Sequence, residues 1–126
     1  MSTNSIPSAN AHFISLQQAV DMTSAYRAEK ETILATAFQN SDILPLSETF
    51  NRAAFDALLS IENCAAIRIY YGMDENNKVH AVIVAVNDSN EDIIPESFIE
   101  NDESIVEEGQ RCPDLCPPSS ALNEDE

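Results

Sequence analysis

The feature that most constrains the fold is a pair of β-forming runs joined by a short polar segment. Residues 65–71 are rich in β-branched and aromatic side chains, and residues 79–86 form a near-continuous apolar run. The connection, residues 74–78, contains two asparagines, which tolerate the positive φ of tight turns. The sequence therefore predicts an antiparallel β-hairpin, whose second strand is central or covered on both faces.

A helix is predicted ahead of the hairpin. Ser15 and Gln18 have the spacing of a capping box, in which each side chain bonds the other residue's main chain. Apolar residues then recur at helical spacing from Leu16 to Phe38, which predicts one amphipathic helix of about six turns.

A second helix is predicted to begin at Ser47, with Glu48 in the first turn, where the helix dipole favours an acid. An isolated hairpin is only marginally stable, so the helices are expected to pack on it unless more strands join the sheet. The predicted fold class is α+β: two helices followed by an antiparallel hairpin, with an acidic C-terminal extension. Residues 104–106 allow a third short strand.

The charge is unevenly distributed. The chain of 126 residues has 22 acidic and 6 basic side chains, a net charge of −16. This balance argues against direct binding to nucleic acid or an anionic membrane, which needs clustered Lys and Arg. Residues 91–126 hold 12 of the acids, four of the six prolines and one basic residue, Arg111. We expect a mobile leader at 1–12, an α+β domain at 13–90 and a partly ordered acidic segment at 91–126.

The sequence gives no sign of a signal peptide or membrane span, since it lacks a basic start followed by an apolar core and any long apolar run. Its three cysteines are an odd number. A cytoplasmic location is therefore expected.

Cys112 and Cys116 lie four positions apart among prolines and leave three interpretations open. The segment is an ordered hook that packs on the domain or a partner, a small disulfide loop, or a source of two soft metal ligands. Structural zinc needs four ligands, and the remaining candidates, Cys64, His12 and His80, lack metal-site spacing. We therefore expect no cofactor and commit to no metal ligand.

Arg68 and Tyr70 share one face of the first hairpin strand, because alternate residues point the same way. An arginine beside tyrosines can contact an anion or a peptide. An ion pair with an acid of the C-terminal segment is favoured in so acidic a chain. With only Gly72 and Gly109 in the chain, no phosphate-binding loop or nucleophile turn is present, and no catalytic residue is predicted.

Two stretches together resemble short bacterial proteins of unassigned function. The matching hairpin residues are Ile67-Arg68-Ile69-Tyr70-Tyr71-Gly72 with Asp74-Glu75-Asn76. The matching closing residues are Gly109, Cys112-Pro113, Cys116 and Leu122-Asn123, and those of the first helix are Met22, Thr23, Tyr26 and Arg27. The resemblance extends over most of the chain from about residue 13. It implies no activity, cofactor or partner, but it suggests that the Cys112–Cys116 segment is an integral part of the protein and more than a random tail.

Together these observations favour a small acidic protein–protein interaction or inhibitor-like module without catalytic activity. The expected partner is another protein with basic character, and the hairpin edge also allows a homodimer. The alternative is a thiol or metal-binding protein that uses Cys112 and Cys116.

Overall fold

The computed structural model describes residues 5–95 and 104–124. The predicted leader and C-terminal segment each include residues outside these ranges, namely 1–4, 96–103 and 125–126. The chain divides into two compact units. The first unit comprises residues up to Ser8, Phe50–Gly72 and His80–Gly109; the second comprises Ala9–Thr49, Met73–Val79 and Gln110–Glu126.

Helix α1, in the second unit, spans Leu16–Glu29 and begins where the sequence predicts. Ser15 Oγ accepts the N–H of Gln18 at 3.1 Å, and Gln18 Oε1 accepts the N–H of Ser15 at 2.9 Å. These two bonds complete the capping box and satisfy main-chain groups that a helix start leaves without partners.

The predicted continuation of α1 to Phe38 is wrong. The helix ends at Glu29, and a single 3₁₀ turn, Thr36–Phe38, follows. Glu31 Oε1 instead accepts the main-chain N–H of Asn40 at 2.6 Å, and Asn40 has a φ of 62°. No α1 side chain is fully buried, so the apolar stripe lacks the core contacts that would extend a marginal helix.

Helix α2, in the first unit, spans Arg52–Leu59, later than the predicted start at Ser47. Asn51 is its N-cap, and Asn51 Oδ1 accepts the N–H of Ala53 at 2.7 Å. A short polar side chain at this position satisfies a main-chain donor that would otherwise lack a partner.

The residues assigned to the start of that helix form a strand instead. Strand β1, Ser47–Thr49, pairs antiparallel with strand β6, Gln110–Cys112, within the second unit. Glu48 lies opposite Arg111 in this register. The partner strand is distant in sequence, so the local pattern around Ser47 carries no sign of it.

The predicted hairpin is present. Strand β2 spans Ala66–Met73 and strand β3 spans Val79–Val86, and the two are neighbours in the sheet. In the turn, Asp74 Oδ1 accepts the N–H groups of Asn76 at 2.8 Å and of Lys78 at 3.0 Å. Asn77 takes the positive φ that the turn requires, 66°.

The sheet contains more strands than this hairpin. On the side of β3 away from β2, strand β4 (Asp92–Ile93) pairs with residues 85–86, and strand β5 (Ile105–Val106) pairs with residues 83–84. β5 is the third short strand that the sequence allows at 104–106. The four-residue end of β3, residues 83–86, is buried on both faces, which confirms the prediction of a central strand.

The core of the first unit lies between α2 and the sheet. Its buried members are Leu58 from α2, Ile83 and Ala85 from β3, and Val106 from β5. Cross-strand pairing explains the set, because Val106 lies directly opposite Ile83 and paired residues point to the same face. Partly buried side chains that complete the core include Phe50, Phe55, Cys64 and Ile67. Among the described residues, no helix is long and apolar enough to cross a membrane.

Candidate functional site

The second unit contains a pocket of about 650 Å³. It lies between one face of α1, the residues around β1 and the segment that follows β6. Its lining residues are Met22, Thr23, Tyr26, Arg27, Leu46, Ser47, Thr49, Cys112, Pro117, Pro118, Ser120, Leu122 and Asn123. The lining is mostly apolar, as is usual for pockets that hold small molecules or side chains.

Helix α1 contributes Met22, Thr23, Tyr26 and Arg27 because residues four apart lie on the same helical face. Thr23 Oγ1 donates to the main-chain oxygen of Ala19, at 3.1 Å, in the preceding turn. The Tyr26 hydroxyl donates to Pro45 O at 2.6 Å, and burial of the ring raises the pKa of Tyr26 above its ordinary value. Both hydroxyl groups therefore donate to main-chain oxygens of the second unit.

Arg27 fixes the far wall of the pocket. Its guanidinium donates to Leu122 O at 2.6 Å and to Glu124 O at 2.5 Å. Between these oxygens and the prolines the chain makes a compact turn, in which Asn123 Oδ1 accepts the N–H of Ser120 at 2.8 Å. The arginine and the asparagine together hold residues 118–124 in place.

Arg111 joins three separate segments of the second unit. Its Nε donates to Val79 O at 3.1 Å, and its Nη2 donates to Asp42 O at 3.0 Å and to Ile43 O at 3.1 Å. In the sequence, Arg111 is distinguished only as the one basic residue of 91–126. The local sequence carries no signal for the main-chain oxygens that Arg111 bonds, because they lie in segments far away along the chain.

Cys112 and Cys116 are joined in a disulfide, with Cα atoms 4.5 Å apart. Cys112 ends β6 and is only 4% exposed, whereas Cys116 is exposed. The main-chain oxygen of Cys112 accepts the N–H of Leu46 at 2.7 Å. In this oxidised state the two sulfurs are bonded to each other, so neither is the thiolate that a metal ion binds.

Arg68 and Tyr70 meet in the first unit, and both bind Asp92. The Arg68 guanidinium forms an ion pair with Asp92 Oδ1 and donates to Asn90 Oδ1, while the Tyr70 hydroxyl donates to Asp92 Oδ2. Arg68 thus has the acidic partner from residues 91–126 that the sequence favours. The hydrogen bond to Asp92 raises the pKa of both Arg68 and Tyr70.

Strand β2 ends the strand order of the described sheet, so one of its edges faces away from β3. Ile67 packs against the core, but the next residues on its face, Ile69 and Tyr71, are 50% and 78% exposed. Alternation puts Tyr70 on the opposite face. The outer half of β2 therefore presents apolar and aromatic side chains beside main-chain groups that face away from the sheet.

No family model, curated protein or solved structure matches this chain.

Part of the set of residues that carries the predicted resemblance lies together in the second unit. The four from α1 and half of the six from the closing segment line the same pocket, and they are Met22, Thr23, Tyr26, Arg27, Cys112, Leu122 and Asn123. The predicted candidates form two pairs: Arg68 with Tyr70 in the first unit, and Cys112 with Cys116 in the second. The wall formed by Leu46, Pro117 and Pro118 was not predicted from the sequence, because it depends on the pairing of β1 with β6.

Proposed function

We propose that this chain is a small acidic protein–protein interaction module without catalytic activity, which binds an extended segment of a partner along the outer edge of β2. The observation that carries the proposal is the exposure of Ile69 and Tyr71 on that strand. Main-chain groups at a strand edge pair readily with another extended chain, and alternate side chains then supply specificity.

Charge indicates what kind of segment would bind. The chain has a net charge of −16, while β2 itself contains one charged residue, Arg68, which is paired with Asp92. A basic segment would be drawn toward the acidic molecule, because complementary potentials speed encounter, and would meet little repulsion at the strand. Nucleic acid and anionic membranes are not proposed as partners for the same electrostatic reason, and the proposed location is the cytoplasm.

Three polar groups that α1 contributes to the pocket support the proposal that the chain is not an enzyme. The hydroxyl groups of Thr23 and Tyr26 and the guanidinium of Arg27 all donate to main-chain oxygens. Groups used in this way hold the backbone in place. A general acid or base would instead be positioned toward a substrate.

The test is an NMR titration of the full chain with a synthetic peptide of alternating lysine and valine. We expect amide shifts concentrated in β2. A peptide of the same composition that is N-methylated at alternate residues keeps the charge but cannot pair along one edge, and it should bind at least tenfold more weakly. Equal binding of the two peptides, or shifts scattered over the acidic surface, would contradict strand addition.

A matched pair of variants locates the surface. Ile69→Lys places a charge in the proposed interface, whereas Ile33→Lys makes the same change at a side chain that is 71% exposed in the second unit. We expect the first variant to lose binding and the second to retain it. Analytical ultracentrifugation of the unmodified chain tests whether a second copy binds at the same edge. A dimer that Ile69→Lys abolishes would replace the proposal of a basic partner with that of a homodimer.

A further inference from the structure

The Cys112–Cys116 disulfide plays no part in the proposed strand addition, yet its two residues differ sharply in exposure. Cys112 is buried at the end of β6, and Cys116 lies in the exposed segment that follows. From this difference we infer that the disulfide is a thiol–disulfide exchange site, in which a dithiol reductant attacks Cys116 and Cys112 is the leaving group.

The chemistry follows the direction of access. A thiolate of the reductant attacks Sγ of Cys116, the bond between the two sulfurs breaks, and its electron pair leaves on Sγ of Cys112, which then takes up a proton. The second thiol of the reductant then attacks the reductant's first sulfur, which is bonded to Cys116 in the mixed disulfide. This attack releases Cys116 as a thiolate. Two electrons pass from the dithiol to the cysteine pair, and the reductant leaves as a disulfide.

Cys112 can be released without rearrangement of β6, because its position does not depend on the disulfide. The main-chain bond from Leu46 N to Cys112 O and the pairing of β6 with β1 hold it from one side. Arg111, the preceding residue, is bonded to three carbonyl oxygens of the second unit. Reduction should therefore leave β6 in place with a buried thiol at its end.

The part released by reduction is one wall of the pocket. Pro117 and Pro118 line the pocket and lie between Cys116 and the turn that Arg27 holds through Leu122 O and Glu124 O. The oxidised segment is fastened covalently at Cys116 and by hydrogen bonds at the Arg27 end. Reduction removes the covalent fastening and leaves one main-chain bond near it, from Leu115 N to Arg111 O at 3.0 Å. The exchange site would thus couple the redox state of the cysteines to the shape of the pocket.

The expected cellular setting agrees with a reversible bond. Disulfides in a reducing cytoplasm are usually transient and redox-responsive, in contrast to the permanent ones of secreted proteins. Cys64, the remaining cysteine, is not part of the disulfide and packs against the core of the first unit. A Cys64→Ser background therefore removes a competing thiol without touching the site.

The test traps the mixed disulfide. The oxidised Cys64→Ser protein is mixed with a reductase of the thioredoxin class whose second cysteine is replaced by serine, quenched with acid and alkylated. Cleavage before Asp114 separates the two cysteines for mass spectrometry. We expect the reductase on Cys116 and the alkyl group on Cys112, by at least ten to one. Attachment to Cys112, an even mixture, or no complex would overturn the inference.

A second measurement examines the pocket. NMR spectra of the oxidised and dithiothreitol-reduced protein should differ at the methyl groups of Met22 and Leu122, while the amide signals of β1 and Arg111 stay in place. Reoxidation should restore the first spectrum. If reduction unfolds the second unit, or if no pocket signal moves, the coupling of redox state to pocket shape is wrong.

Discussion

The guanidinium of Arg27 donates to the main-chain oxygen of Leu122 at 2.6 Å, which joins α1 to a turn 95 residues further along the chain. The same side chain also bonds Glu124 O. A planar guanidinium can serve two carbonyl oxygens at once, which the compact ammonium of lysine does less well. One side chain of α1 therefore hydrogen-bonds two main-chain oxygens near the end of the described chain.

Arg27→Ala should release this turn. We expect hydrogen exchange at the amides of Leu122 and Asn123 to speed up, with a loss of about 1 kcal/mol in the free energy of unfolding, since the bonds are exposed to water. Arg52→Ala is the control, because Arg52 is exposed and forms only a surface pair with Asp56. Unchanged exchange at the turn in Arg27→Ala would show that other contacts hold it.

Leu58→Ala should be the more damaging of two neighbouring substitutions in α2. Leu58 is 0% exposed in the core, whereas Leu59 is 56% exposed. Removing the buried side chain leaves a cavity and should cost about 2–5 kcal/mol of unfolding free energy. Leu59→Ala should cost less than about 1 kcal/mol. Urea denaturation measures both, and comparable losses would place the core elsewhere.

Gly109→Ala should be destabilising because the added methyl group meets an aromatic ring. A Cβ at Gly109 would lie 2.6 Å from Cζ of Phe50. We expect a cost of about 1–3 kcal/mol from overpacking. Replacing the ring with the smaller side chain of leucine, in a Phe50→Leu background, should reduce that cost. A double-mutant cycle measures the difference. An equal cost in both backgrounds would indicate that the ring is not the obstacle.

Alkaline pH should weaken the Tyr70–Asp92 contact. The hydrogen bond to Asp92 raises the pKa of Tyr70 above its ordinary value of about 10. A raised folded-state pKa means that the stabilisation is fully present below the unfolded-state pKa and is lost as the pH rises through the folded-state pKa. NMR of labelled tyrosine should show the Tyr70 pKa falling in Asp92→Asn. A pKa that does not move in this variant would remove Asp92 as the cause.

The hairpin and the start of α1 could be predicted from sequence because their determinants are local: alternating β-branched residues, a turn with Asn77 and a capping box at Ser15. The end of α1 could not, since it depends on Glu31 bonding the main chain of Asn40. The strand at Ser47–Thr49 was mistaken for a helix start because its partner, Gln110–Cys112, is far away in sequence.

The candidate site follows the same division. The face shared by Arg68 and Tyr70 follows from alternation, but the choice of Asp92 depends on the pairing of β4 with β3. The Cys112–Cys116 disulfide was among the interpretations that the sequence left open, because the two residues are close in the chain. The pocket was not foreseen, since it requires α1 and the closing segment to meet.

Arg111 has a consequence for how the protein should respond to salt. It is the sole positive side chain among residues 91–126, and it donates to three neutral carbonyl oxygens. Its hydrogen bonds are therefore directed to the backbone, and the 12 acids of the segment keep a large excess of negative charge. Association with the proposed basic partner should then slow steeply as ionic strength rises, because the attraction is screened over about 8 Å in physiological salt.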